Sequence, residues 1–234
     1  MKECLVQSAY FGVALSLIGY EIGLFLKKKC RTALMNPLLV GSVFVIVVLM
    51  LLGTDYDTYN AGAKYLSYFL TPATVSLAIP LYRQLSLLKK YKAAIFGGIL
   101  AGVLTSMLSV YGLALCIGLT HEQYVTLLPK SITTAIGMGV SEKMGGIVTL
   151  TVVSICITGI VGNVLAELIL KLFRITDPIA RGLAIGTSAH ALGTAKAMEM
   201  GEVEGAMSSL AIVVSGIMTV LSVSFFANLL RNVV

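Results

Sequence analysis

Lys130, Ser131, Thr133 and Thr134 follow Pro129 within a few residues, so an ammonium and three hydroxyls sit together in an otherwise apolar chain. Clustered donors of that kind recognise an anion. A proline suits the first turn of a helix, and the free amides and dipole of a helix N-terminus add to the attraction for negative charge. A second group, Thr187, His190 and Thr194, lies in a Gly/Ala/Thr-rich stretch with Gly186 and Gly193 on either side of the histidine. His190 can donate to a carboxylate or carry a proton near neutral pH, and glycine weakens a helix enough to expose backbone groups. Together the two groups are read as binding residues for a small organic anion. A plainer reading stands beside this one, in which Lys130 extends to interfacial water along its apolar stem and His190 is a hydrogen-bonded packing group.

The elements that must hold these residues are membrane helices. Of 234 residues, 57% are hydrophobic and 12% charged, a balance far from that of soluble domains. Apolar runs at 5–26, 37–53, 65–82, 93–119, 146–173, 178–200 and 206–230 are predicted as spans, the clear ones meeting the roughly 20 residues needed to cross about 30 Å of hydrocarbon. Irregular backbone is tolerated at membrane depth only where it is buried in protein or lines a wet cavity, so interruptions mark a site. Pro72 and Pro80 are the helix breaks of the 65–82 run, freeing backbone groups that Thr71, Thr74 and Ser76 can satisfy. Gly186 and Gly193 are the breaks of the 178–200 run, where Gly182 and Gly186 also permit close helix contact. Asp177 precedes Pro178, and Arg181 follows four residues after Asp177, a spacing that predicts a structural ion pair on one helix face. Glu21 and Glu167 near span ends are candidate proton sites or interfacial groups, and Glu199, Glu202 and Glu204 are expected in a solvated loop.

The predicted fold is an all-α polytopic membrane protein, one integral unit over 1–234. It has about seven transmembrane helices plus a re-entrant or broken segment between Tyr124 and Val140. Basic clusters at Lys27, Lys28, Lys29 and Arg31, and at Arg83, Lys89, Lys90 and Lys92, follow spans. The positive-inside rule then sets the N-terminus outside and, with the Tyr124 to Val140 stretch dipping in and returning, the C-terminus inside with Lys171, Arg174 and Arg231. The spans of 37–119 and of 146–230 would enter from opposite sides, each triplet with an interrupted middle span. That is the pattern of an inverted repeat whose discontinuous helices meet near the midplane. The first run is kept as a span because it is too long for a signal-peptide core and its basic residues follow it. The net charge of +6 is explained by span-end clusters, so nucleic acid is not an expected partner. Cys4, Cys30, Cys116 and Cys156 have no paired spacing, so neither a disulfide framework nor a metal site is predicted, and no cofactor is expected.

Phosphate-loop, zinc-protease and nucleophile-elbow motifs do not occur in the sequence, so the chain is read as no enzyme and any transport as gradient-driven. Four blocks resemble the LrgB/CidB membrane protein family: NPLLV at 36–40, TPATVSLAIPLY at 71–82, PKSITTAI at 129–136 and DPIARGLAIGTSAHALGTAKAMEMGEVEGAMSSLA at 177–211. The resemblance covers nearly the whole chain, with one departure at Gly137-Met-Gly, where bulkier residues are expected. It implies a multi-pass protein of the bacterial inner membrane, working with a small LrgA/CidA-type membrane partner. It also implies one of two roles: a holin-like or antiholin-like modulator of murein hydrolase activity and autolysis, or, as in a plant chloroplast relative that moves glycolate and glycerate, a carrier of small monocarboxylates such as pyruvate. Transport is the role that the anion-binding residues favour, with the bilayer, a small organic anion and further copies of the chain as the other partners.

Overall fold

The computed structural model describes residues 8, 10–30, 35, 37–69, 72, 75–76 and 78–231. Among them every regular element is a helix, and the chain divides into two compact units, Met1–Ser76 and Leu77–Val234, where the sequence reads as one.

The first unit holds α1 (Phe11–Cys30), α2 (Pro37–Leu52) and α3 (Tyr56–Ser67). Helices α1 and α2 touch through glycine: a Cβ on Gly19 would lie 3.1 Å from the Gly41 carbonyl oxygen. The Ser16 and Tyr59 hydroxyls meet at 2.7 Å to tie α1 to α3. With 16 residues, α2 rises about 24 Å, somewhat less than the roughly 30 Å of hydrocarbon. The span expected over 65–82 is not one helix. Helix α3 ends at Ser67, and the next full element, α4 (Ala78–Arg83), has six residues. Pro80 falls within α4. Ser76 Oγ donates to the Pro72 carbonyl at 2.8 Å, while Thr71 and Thr74 lie outside the described residues.

The second unit continues from α4 with α5 (Leu85–Lys90), α6 (Lys92–Ile117), α7 (His121–Leu127), α8 (Thr134–Met144), α9 (Val148–Leu172), α10 (Pro178–Met200) and α11 (Glu202–Arg231). Among the described residues, three segments are long and apolar enough to cross a membrane: Lys92–Ile117, Val148–Leu172 and Glu202–Leu230. Helix α6 buries Ile95, Ile99, Val103, Met107, Val110 and Ala114, a three-to-four-residue spacing that keeps one face inward. Its Leu100, Leu104, Leu108 and Leu115 are exposed, as a lipid-facing side requires.

Between the long helices lie two hairpins. The Thr120/Gln123 capping box starts α7, turns occupy 128–133, and α8 returns to end at Gly145 with a φ of 79°. The arms meet through α9, because Thr151 Oγ1 donates to the Thr126 carbonyl at 2.9 Å and lies 2.7 Å from Ser141 Oγ. The second hairpin lies within α10. Asp177 caps its start by accepting from the Ala180 amide at 2.9 Å, and the helix reverses at His190, whose φ of 42° and ψ of −139° are not helical. A Cβ on Gly193 would lie 3.3 Å from the Ile185 carbonyl oxygen. Residues eight apart in a straight helix are about 12 Å apart, so the chain folds back. The segment expected to cross at 178–200 therefore returns toward its starting end.

Candidate functional site

Both hairpin tips reach α9 at Ile155. The His190 Nε2 lies 3.0 Å from the Ile155 carbonyl, and Gly137 of the first hairpin gives the Ile155 Cδ1 its room. This is why glycine stands where the family pattern leads one to expect bulk. Helix α8, of 11 residues, rises about 16 Å, and each arm of α10 a similar distance. Such arms carry a tip to about the middle of a 30 Å slab.

Around the tips, Lys130 Nζ donates to Ser131 Oγ at 3.1 Å and to Ser106 Oγ of α6 at 3.4 Å, and the two serines meet at 3.1 Å. Ser106 and Ser131 line a cavity of about 10 Å³ together with Val103, Met107, Leu128, Ile132, Thr187, Ser215 and Thr219. Thr187 is brought in because Gly102 of α6 lacks a side chain: a Cβ there would lie 2.9 Å from Thr187 Oγ1. The expected residues Lys130, Ser131 and Thr187 thus share one place. His190 and Thr194 sit at the second tip but face other partners, Thr194 Oγ1 lying 2.7 Å from Ser208 Oγ and 2.9 Å from the His190 carbonyl it donates to. Thr133 caps α8 through its extended backbone without a side-chain capping bond, and Thr134 is the first helical residue. Neither lines the cavity.

Several expectations are corrected here. Pro129 does not open a helix. It lies in the turns after α7, where Lys130 N donates to the Leu127 carbonyl at 3.1 Å, because the chain must reverse before α8 begins. Gly186 and Gly193 lie in helical backbone on either side of the reversal at His190. Their role is close approach, since a Cβ on Gly186 would lie 2.5 Å from the Ser208 carbonyl oxygen. Asp177 caps its own helix, and Arg181 instead pairs with Glu204 of α11 at 3.8 Å while its Nε donates to the Ile175 carbonyl at 2.9 Å. Glu204 is buried and helical, not part of a solvated loop. Glu167 of α9 meets Lys196 of the returning arm at 2.6 Å and Lys171 at 3.6 Å, and Lys196 also meets Glu199 at 3.2 Å. Ser106, Ser208, Ser215, Thr219 and Lys196 were not among the expected site residues. The available signal was the presence of hydroxyls at four-residue spacing, Ser215 and Thr219, in the middle of an apolar helix.

A model of the LrgB-like family matches residues 16–229. The chain belongs to the LrgB-like family. The antiholin-like protein LrgB of Bacillus mycoides (strain KBAB4) is 44% identical over 221 residues, 94% of this chain and 96% of its own length. LrgB of Bacillus subtilis (strain 168) is 43% identical over 225 residues, 96% of this chain and 97% of its own, and LrgB of Bacillus cereus (strain B4264) is 43% identical over 221 residues, 94% and 96%. No solved structure matches. Family membership and the three apolar helices make this LrgB-like chain a membrane protein.

Proposed function

We propose that the chain is an antiholin-like membrane protein that opposes permeation of the bacterial inner membrane and so restrains murein hydrolase activity and autolysis. The observation that carries this reading is end-to-end similarity, at 43–44% identity, to proteins named antiholin-like. The centre of the second unit supports it: the hairpin tips, α6 and α11 close around about 10 Å³ of space, which suits a barrier. The partner in this role is a small LrgA/CidA-type membrane protein that forms the pore, with the chain itself acting as an oligomer and not as an enzyme.

A second reading has its own support. Lys130, Ser131 and Thr187 converge on a polar spot inside apolar helices, an arrangement suited to secondary transport of a small monocarboxylate of the pyruvate, glycolate or glycerate class once the tips part.

Either role uses the same topology. The 121–172 and 178–231 portions each consist of a hairpin followed by a long helix, and the two hairpins attach at opposite ends of α9. This supports an inverted repeat. Arg83 pairs with Glu202 at 3.4 Å, so the basic residues near the start of α6 gather with Lys171, Arg174 and Arg181 at one end, which the positive-inside rule makes cytoplasmic. Helix α11 starts there and ends outside. That replaces the expected internal C-terminus, because the 178–200 segment does not cross.

Liposomes holding a self-quenched dye and the small partner decide between the readings. Addition of the chain is expected to suppress dye release. Unchanged release would overturn the antiholin-like reading, and saturable pyruvate or glycolate uptake without dye release would establish the carrier.

A further inference from the structure

We infer that the cavity between the hairpin tips binds one monatomic anion, a halide such as chloride, held by serine and threonine hydroxyls and balanced by Lys130. The half-buried Lys130 ammonium is hydrogen-bonded to Ser131 and Ser106, and no ion pair among the described residues includes it. Glu167 and Glu199 pair with Lys196, Glu204 with Arg181 and Glu202 with Arg83, all at the base of the second hairpin. A charged ammonium in apolar surroundings is stabilised by a counter-charge.

The two serines that the ammonium holds line the cavity. Because those oxygens accept from Lys130, their own protons remain to be shared: one lies between the serines and the other is free for a ligand. Thr219 also lines the cavity. Thr187 and Ser215 donate to the Leu183 and Ile212 carbonyls of their own helices at 2.7 Å and 3.2 Å, the resting bonds of helical hydroxyls, which rotation can redirect. Size decides the ligand. About 10 Å³ is room for roughly one water-sized sphere, which fits a single ion and excludes sulfate, phosphate or a three-carbon acid while the tips are closed. Hydroxyl donors also solvate an anion without adding a second charge.

Such an ion would sit there whether the chain restrains permeation or carries a monocarboxylate, so its test is separate from the liposome assay. Equilibrium binding of radiolabelled chloride to the purified full-length protein in detergent is expected to show about one saturable site per chain, displaced by bromide and untouched by gluconate. Lys130→Met is expected to weaken binding by at least about tenfold, as loss of a charged partner does. Ser106→Ala, which leaves the charge in place, guards against a misfolded lysine variant and is expected to weaken binding severalfold. Absence of saturable chloride binding, meaning that an ordered water alone fills the cavity, would overturn the assignment. Undiminished binding in both variants would do the same by moving the anion elsewhere.

Discussion

The two hairpins are built alike and fastened differently. The first is held by uncharged groups deep in the helices: Thr151 bonds Thr126 and Ser141, Thr126 Oγ1 accepts from the Ile147 amide at 2.8 Å, and the buried Tyr124 hydroxyl donates to the Phe226 carbonyl at 3.0 Å. The second is fastened at its base by charges, with Lys196 to Glu167 on the returning arm and Arg181 to Glu204 on the entering arm. The Lys196 and Glu167 side chains are 18% and 46% exposed, against 31% and 9% for Arg181 and Glu204, so the Lys196 pair is the one open to water. Buried neutral hydrogen bonds are costly to open without water, whereas ion pairs in contact with water exchange one polar partner for another at little cost. The two bases therefore differ, while the second tip is itself held by buried neutral bonds, His190 Nε2 to the Ile155 carbonyl at 3.0 Å and Thr194 Oγ1 to Ser208 Oγ at 2.7 Å, so any movement of the second hairpin begins at its base.

The largest effect expected from this contrast comes from equivalent glycine substitutions. A Cβ at position 186 meets backbone, the Ser208 carbonyl oxygen, with the Ala211 Cβ behind it at 2.7 Å. At position 137 it meets the end of the flexible Ile155 side chain. Gly186→Ala is expected to cost about 2 to 3 kcal/mol, the upper range for forced overpacking, and Gly137→Ala about 1 kcal/mol or less. Thermal unfolding in nanodiscs measures both, and equal losses would remove the distinction.

Next in size, Thr151→Val takes away the hydroxyl that joins both arms of the first hairpin to α9. Roughly 1 to 3 kcal/mol should be lost, since the Thr126 carbonyl and Ser141 hydroxyl keep buried groups without that partner. The loss should not depend on salt, and unfolding at low and high sodium gluconate checks this without supplying a halide.

The smallest effect concerns Lys196→Met. An ion pair this exposed contributes about 1 kcal/mol or less and is screened by salt, so stability should barely change. Opening of the second hairpin should nevertheless increase. A cysteine at Ala195 in a background without native cysteines should react faster with a soluble thiol reagent when Lys196 is Met, while a cysteine at Ala135 in the first hairpin should not. If both rates rose together, the hairpins would not be independently fastened.

The first hairpin was legible in the sequence because the positive-inside rule groups Lys171 and Arg174 with the other basic clusters only when the Tyr124 to Val140 stretch dips in and returns, whereas Pro129, read as opening a helix, lies in the turn. The second was not, because its reversal is made by a histidine. A positive φ is uncommon outside glycine, so attention fell on Gly186 and Gly193, whose lack of side chains serves packing. The Arg181 partner was misplaced for a similar reason: a four-residue spacing describes pairs within one helix, whereas Glu204 arrives from the next one. Ser106 lies on α6, far in sequence from Ser215 and Thr219 of α11, and only the folding of the helices and tips onto one spot makes them a group. The lipid-crossing segments at 93–119, 146–173 and 206–230 were plain from length and hydropathy, since those properties do not depend on tertiary contacts.

The most direct test of the two opposed hairpins is sidedness at their bases. Cysteines are placed one at a time at Thr176 and Glu202, flanking the second hairpin, and at Glu122 and Glu142 on the first, after Cys4, Cys30, Cys116 and Cys156 are replaced. Intact cells and inverted vesicles are then treated with a membrane-impermeant thiol reagent. Positions 176 and 202 are expected to react from one face, the cytoplasmic one, and positions 122 and 142 from the other. Reaction of 176 and 202 from opposite faces would show that 178–200 crosses the membrane and would contradict the account.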